Sequence, residues 1–226
     1  MSNFELDVSS LNNLRPTKDN SLATHLINSS YCGDLNEVKS LLRAGANVNM
    51  TAQDGVTPLA AAGQNGQLQM AKFLIESGAL INKANSRNNT PLHIACFMGQ
   101  LEMVKFFIES NAKINAVGIE GGTPLYMAAE YGHLKIVKFL IESGALVNKA
   151  DNLGITPLFV ASSKGYVKIV KFLVASGAPV DKANNNGVTP LHHTCVNADL
   201  DMVKLLIESG ASLSKKNVEG YTALHI

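Results

Sequence analysis

The chain has 226 residues, 46% apolar and 16% charged, which is enough apolar material for a core and too much for a wholly disordered polypeptide. Nineteen basic against eighteen acidic residues leave a formal net charge of +1, no electrostatic footprint for a phosphate backbone or an anionic bilayer, so nucleic acid and membrane are set aside as partners. Cys32, Cys96 and Cys195 have no C-x-x-C spacing and an odd count, the usage expected of reduced thiols in a cytosolic or nuclear setting.

In chain order, residues 1–20 come first, and they lack the basic segment and apolar run of a secretion signal. NFELDVSSLNNL is expected either as a short amphipathic helix or as a frayed arm. From about residue 21 onward a single phrase recurs. Thr-Pro-Leu begins at Thr57, Thr90, Thr123, Thr156 and Thr189, each 33 residues after the last, with degraded copies at Thr24 and Thr222. A fixed period of this size marks a stacked repeat architecture.

Each unit predicts two helices. Threonine is a good N-cap, and proline at the first helical position loses only an N–H that would be orphaned anyway. The first helix, as in TPLHIACFMG, is short and closes at Gly33, Gly66, Gly99, Gly132 or Gly165. The second, as in LEMVKFFIES, carries an apolar helical stripe and closes at Gly45, Gly78, Gly144, Gly177 or Gly210. Asparagine replaces glycine at Asn111 and, in the connecting turn, at Asn88, so these positions are expected to need positive φ. Ala198 stands at the same kind of position in the sixth unit, and a local distortion is expected there.

The in-phase recurrence of TPLHIA, of G-x-L-x-M-V-K-F and of the SGALVN type of ending resembles the ankyrin-repeat family, over about Thr24 to Ile226. The resemblance implies an all-α solenoid of stacked antiparallel helix pairs joined by β-hairpin-like fingers, with partners bound on the concave side. The expected division is an N-terminal extension at 1–20 and a repeat domain at 21–226. Its repeats lie near 21–52, 53–85, 86–118, 119–151, 152–184 and 185–217, with a partial one at 218–226. Because the chain stops at YTALHI, five residues into a seventh helix, the sequence reads as a fragment of a longer polypeptide.

The constant positions are expected in the core: Leu59, Leu92, Leu125, Leu158 and Leu191, the alanines at 62, 95, 128 and 161, and Cys96 and Cys195 in an alanine-like slot. Cys32 is expected to be reachable. His93 and His192 resemble the structural imidazole of the family's TPLH; His192-His193 beside Cys195 lacks a complete ligand set, so no metal and no cofactor is expected. The lysine column at 39, 72, 105, 138, 171 and 204, four of them followed by glutamate at i+4, reads as a solvated outer face. Asn49, Asn82, Asn115 and Asn148 resemble asparagine-hydroxylation targets, against the plainer reading that each ties the turn together by hydrogen bonds.

Function is expected where the copies differ. The resemblance points to the finger tips and to the two residues before the first glycine of each unit, such as Glu130-Tyr131 and Ser163-Lys164. Among these, Phe97, Met98 and Tyr131 beside Ile119 and Leu153 would place large apolar groups on adjacent repeats, with Arg87 and Glu120 as a charged rim. Phe97 and Met98 either face a partner or fold down as extra core. No phosphate-loop, nucleophile-elbow, zincin or EF-hand signature occurs, so the chain is not expected to be an enzyme. The leading expectation is a monomeric, cytoplasmic module that binds a protein or peptide. The alternative is the targeting or regulatory repeat region of a larger enzyme or secreted effector, which would also admit the nucleus or a host cytosol.

Overall fold

The computed structural model describes residues 22–52 and 54–225, so the expected arm or helix in residues 1–20 lies outside the described residues. Twelve α-helices occur among them in six pairs. They are α1 (Leu22–Cys32) with α2 (Leu35–Arg43), α3 (Pro58–Gln64) with α4 (Leu68–Glu76), and α5 (Pro91–Phe97) with α6 (Leu101–Glu109). Then come α7 (Pro124–Glu130) with α8 (Leu134–Glu142), α9 (Pro157–Ser163) with α10 (Val167–Ala175), and α11 (Pro190–Val196) with α12 (Leu200–Glu208). Each odd-numbered helix packs on the next odd-numbered one, and each even-numbered helix from α4 to α12 on the next even-numbered one.

The Thr-Pro starts behave as their chemistry demands. The hydroxyls of Thr57, Thr123 and Thr156 accept from the backbone N–H three residues on, at 3.1, 3.2 and 3.1 Å, and each proline occupies the first helical position. At Thr90 and Thr189 a histidine completes the arrangement: Nδ1 of His93 and His192 lies 2.8 Å from the threonine hydroxyl and accepts the threonine N–H at 3.2 and 3.3 Å. Their Nε2 atoms reach the next unit, to Gly122 O at 3.3 Å and Tyr221 O at 3.1 Å. Accepting at Nδ1 assigns the neutral Nε2–H tautomer. One ring therefore caps its own helix and ties down the following finger.

The apolar column from Leu59 to Leu191 and the four alanines are fully buried, forming one continuous core along the stack. A helix pair cannot bury its own apolar face, and repeating the same interface solves this for every internal unit. Small residues set the spacing: a Cβ on Gly63 would come within 3.1 Å of the Phe107 ring, so the glycine makes room for that side chain. Cys96 is fully buried and Cys32 exposed, while Cys195, expected in the core, is only partly covered because it sits near the end of the described stack.

Asn88 and Asn111 have φ of 61° and 65°, as expected. Ala198 also takes φ of 53°, yet its N–H still reaches Cys195 O at 3.0 Å. The expected distortion is slight: the alanine bears the left-handed strain, and the Asp199 N to Thr194 O bond is 3.3 Å against 2.9 to 3.0 Å at the same place in the other units. The lysine column behaves differently from its sequence pattern as well. Lys105 pairs backward with Glu102 at 2.8 Å rather than forward, and Lys39 and Lys138 lie 5.4 Å from the ring centres of Phe73 and Phe172 in the next unit.

Candidate functional site

Six fingers project between the helix pairs, each closed by a backbone hydrogen bond from its first residue to its fifth, such as Asp151 N to Ile155 O at 3.0 Å. In four of them an Asx side chain at the first position accepts two finger N–H groups; Asp151 Oδ1 takes those of Leu153 and Ile155 at 2.9 and 2.8 Å. Neighbouring fingers are joined edge to edge, by Ser86 N to Asp54 O, Asn152 N to Glu120 O, Asn185 N to Leu153 O and Val218 N to Asn186 O, all between 2.8 and 3.1 Å.

The joint between fingers 85–89 and 118–122 uses side chains instead: Asn88 Nδ2 donates to Val117 O at 2.7 Å and Asn89 Oδ1 accepts from Ile119 N at 3.1 Å. Gly118 stands where four of the other five fingers carry Asx, because a Cβ there would fall 2.4 Å from Asn89 Oδ1 and 3.0 Å from the His93 ring. Without an Asx anchor, residues Ile119–Gly121 form a 3₁₀ turn with Glu120 at φ of 53°.

The apolar cluster expected from the sequence is divided by the fold. Phe97 is buried, 8% exposed, with its ring edge-on to Tyr131 at 4.3 Å between centroids. It takes the inward of the two expected courses, since the next unit offers an aromatic face to cover it. Met98 packs with Tyr31 and Ala52 onto a separate small core of Ile27, Val56, Ala60, Ala61 and Ile94. Tyr131 and Ile119 are half-buried against the main core, and Arg87 is half-buried in its finger. Only Glu120 and Leu153 of the expected residues meet at one cavity.

That cavity, of about 400 Å³, opens on the finger side between residues 120–193. Its walls come from three fingers (Glu120; Asp151, Leu153 and Ile155; Asn184 to Val188) and from Tyr126, Glu130, Phe159, Val160, Ser163, Lys164 and His193. Tyr126 and Phe159 occupy the column that holds His93 and His192 elsewhere, so rings replace the tying imidazoles here. Burial pushes the Glu130 carboxyl up to about 7, with Asp151 and Glu120 adding to the rise and Lys164 opposing it. Burial likewise raises Asp151, despite the two N–H groups it accepts, and lowers His193, with Lys164 adding to the lowering.

Sequence reasoning placed Glu130 and Lys164 among the variable pairs without choosing them, and did not single out Asp151 or Phe159. The available signal was columnar: Gln64, Phe97, Glu130, Ser163 and Val196 share one position, and Glu130 is the acid among them. Asn49, Asn82 and Asn115 each accept a backbone N–H 31 residues on at 2.8 to 2.9 Å, and Asp181 does the same for Ser212, so this column ties one unit to the next. Among the described residues no cluster of three or more His, Cys, Asp or Glu could hold a metal, and no helix is long and apolar enough to cross a membrane.

The family profile described as ankyrin repeats (3 copies) matches residues 26–118, 117–184 and 176–226. The chain belongs to the ankyrin-repeat family. The structure is similar to the crystal structure of the human ASB11 ankyrin repeat domain, with a TM-score of 0.78, 31% sequence identity, and 88% of this chain and 89% of that chain covered. No curated protein matches the sequence. Ankyrin repeats are generally protein-interaction modules, and their domains are typically non-catalytic.

Proposed function

We propose that this ankyrin-repeat chain binds a partner polypeptide on its finger side, over the fingers and first helices of the units spanning residues 119–197. The observation that carries this reading is the cavity of about 400 Å³ at the joint of three fingers, walled by Leu153, Ile155, Phe159 and Val160 and rimmed by charge. An apolar recess with a polar rim is the form in which a partner's anchoring side chain is held. On the outer face Lys39 and Lys138 lie over the Phe73 and Phe172 rings, and the pocket of about 450 Å³ beside Lys39 is more open to solvent than the finger-side cavity. We place the protein in the cytoplasm as a monomer, consistent with one exposed, one partly covered and one buried free thiol.

The test is affinity capture with three baits: the unchanged protein, an Ile119→Ser/Leu153→Ser finger variant and a Lys138→Ala/Lys171→Ala outer-face variant, each checked for helicity by circular dichroism. The finger variant should lose the bound protein and the outer-face variant keep it. Loss on the outer face with retention by the finger variant would overturn the assignment.

A further inference from the structure

Glu130 is the member of the cavity wall whose chemistry is incomplete. The residue is 6% exposed, and its Oε2 is buried without a hydrogen-bond partner. Lys164 is close enough to influence it but forms no ion pair with it; the described residues contain two ion pairs, Lys105–Glu102 and Lys215–Asp181. A buried carboxylate oxygen left unpaired is costly, and that cost is recovered only when a donor arrives. Glu120 and Asp151 add two more acids to the same recess against the single lysine, while burial and Lys164 both disfavour a charged His193. The rest of the wall combines the polar Ser163, Asn184, Asn185 and Asn186 with apolar and aromatic groups, of which Leu153, Phe159 and Val160 suit an alkyl stem and the rings of Tyr126 and Phe159 suit a cation at close range.

From this geometry we infer that the cavity is a socket for a basic side chain, arginine or lysine, of the partner polypeptide, with Glu130 as the buried acceptor. The inference rests on the interaction reading above and sharpens it, by stating the chemistry of the anchor. The stem covers Leu153 and Val160, and the head donates to the free oxygen of Glu130 between Glu120 and Asp151. Lys164, exposed at the end of α9, competes for the same field, so a basic guest binds against it.

The probe is N-acetyl-arginine methylamide, titrated into the isotope-labelled full chain and followed by backbone amide NMR, with the neutral N-acetyl-citrulline methylamide as the matched control. The arginine probe should shift the amides of Leu153, Phe159 and Ser163 with millimolar affinity, and the citrulline compound should bind at least about tenfold more weakly. Glu130→Gln should weaken the arginine probe by about tenfold or more, and Lys164→Glu, at an exposed position that leaves the fold intact, should strengthen it. Equal binding of both compounds, shifts confined elsewhere, or no shift at about 50 mM probe, beyond the millimolar range of a weak single-residue ligand, would overturn the socket. If the probe fails while the finger variant still loses its captured protein, the socket falls and the interaction surface stands; if the finger variant keeps its protein too, both fall.

Discussion

His133 Nε2 lies 2.9 Å from the carbonyl oxygen of Phe97, one repeat earlier, and the imidazole thereby sits directly over Gly99. The same job passes down the stack in different chemistry: Gln67 donates to Cys32 O over Gly33 at 3.3 Å, Gln100 to Gln64 O over Gly66 at 3.3 Å, and the Tyr166 ring covers Gly132. The glycine that closes each first helix thus answers to its own backbone and to the side chain laid across it.

Gly99→Ala should therefore cost more than Gly144→Ala. Both have positive φ, 74° and 93°, so each alanine bears about 1–2 kcal/mol of left-handed strain. A Cβ at 99 would also meet the His133 ring at 2.6 Å, whereas nothing lies within 4 Å at 144. Urea denaturation of the two variants should separate them by about 1 kcal/mol, the worth of the displaced hydrogen bond; equal losses would show that the cross-repeat contact carries no stability.

Ala198→Gly should stabilise the protein. The residue holds φ of 53° and the closing bond from Asp199 N to Thr194 O is stretched to 3.3 Å, so replacing it relieves strain of about 1 kcal/mol, after the entropy that glycine costs in the unfolded chain. Calorimetry should show Tm rising by about 2–4 °C for a chain of this length; no rise or a fall would mean that the strain is offset locally.

Two pH linkages in the acidic range oppose one another. Burial lowers His93 from 6.5 to about 4, so the unfolded chain binds the extra proton between those values and stability falls as pH drops through that window. Glu130, raised from 4.5 to about 7, is the reverse: the folded chain holds the extra proton, so stability falls as pH rises from 4.5 to 7. Denaturant midpoints measured from pH 4.5 to 7 should therefore vary little at these two sites together. His93→Gln should expose a decline with rising pH, and Glu130→Gln an increase. Parallel profiles for both variants would refute the assignment.

Thr189→Ala should be worse than Thr156→Ala. Removing the Thr156 hydroxyl loses one N-cap bond, about 1 kcal/mol. At Thr189 the hydroxyl also holds His192, whose far nitrogen binds Tyr221 O, so the loss reaches the next finger. Hydrogen exchange at residues 217–222 should rise in the second variant and stay unchanged in the first.

The 33-residue period, the Thr-Pro helix starts and the leucine and alanine columns were legible in the sequence because each depends on local capping or on an interface repeated unchanged. Asn88 and Asn111 were legible for a similar reason, since left-handed backbone restricts residue type wherever it occurs. The columns over the closing glycines were not, because glutamine, histidine and tyrosine do one task there and their identities share no pattern.

What only the tertiary structure decided is which variable side chains turn inward. Phe97 and Tyr131 stand one repeat apart and cover each other, so Phe97, which the sequence left open between a partner face and the core, joins the core and Tyr131 is half-buried. Glu130 occupies the same column as Phe97, and where Phe97 meets a ring it meets a cavity, bounded by fingers whose joints run through Glu120 and Leu153. Sequence by itself determined the repeating interface, because each unit writes the same face. The departures from that face depend on what the neighbouring unit places opposite, and such a pairing across 33 residues exists only once the stack is built.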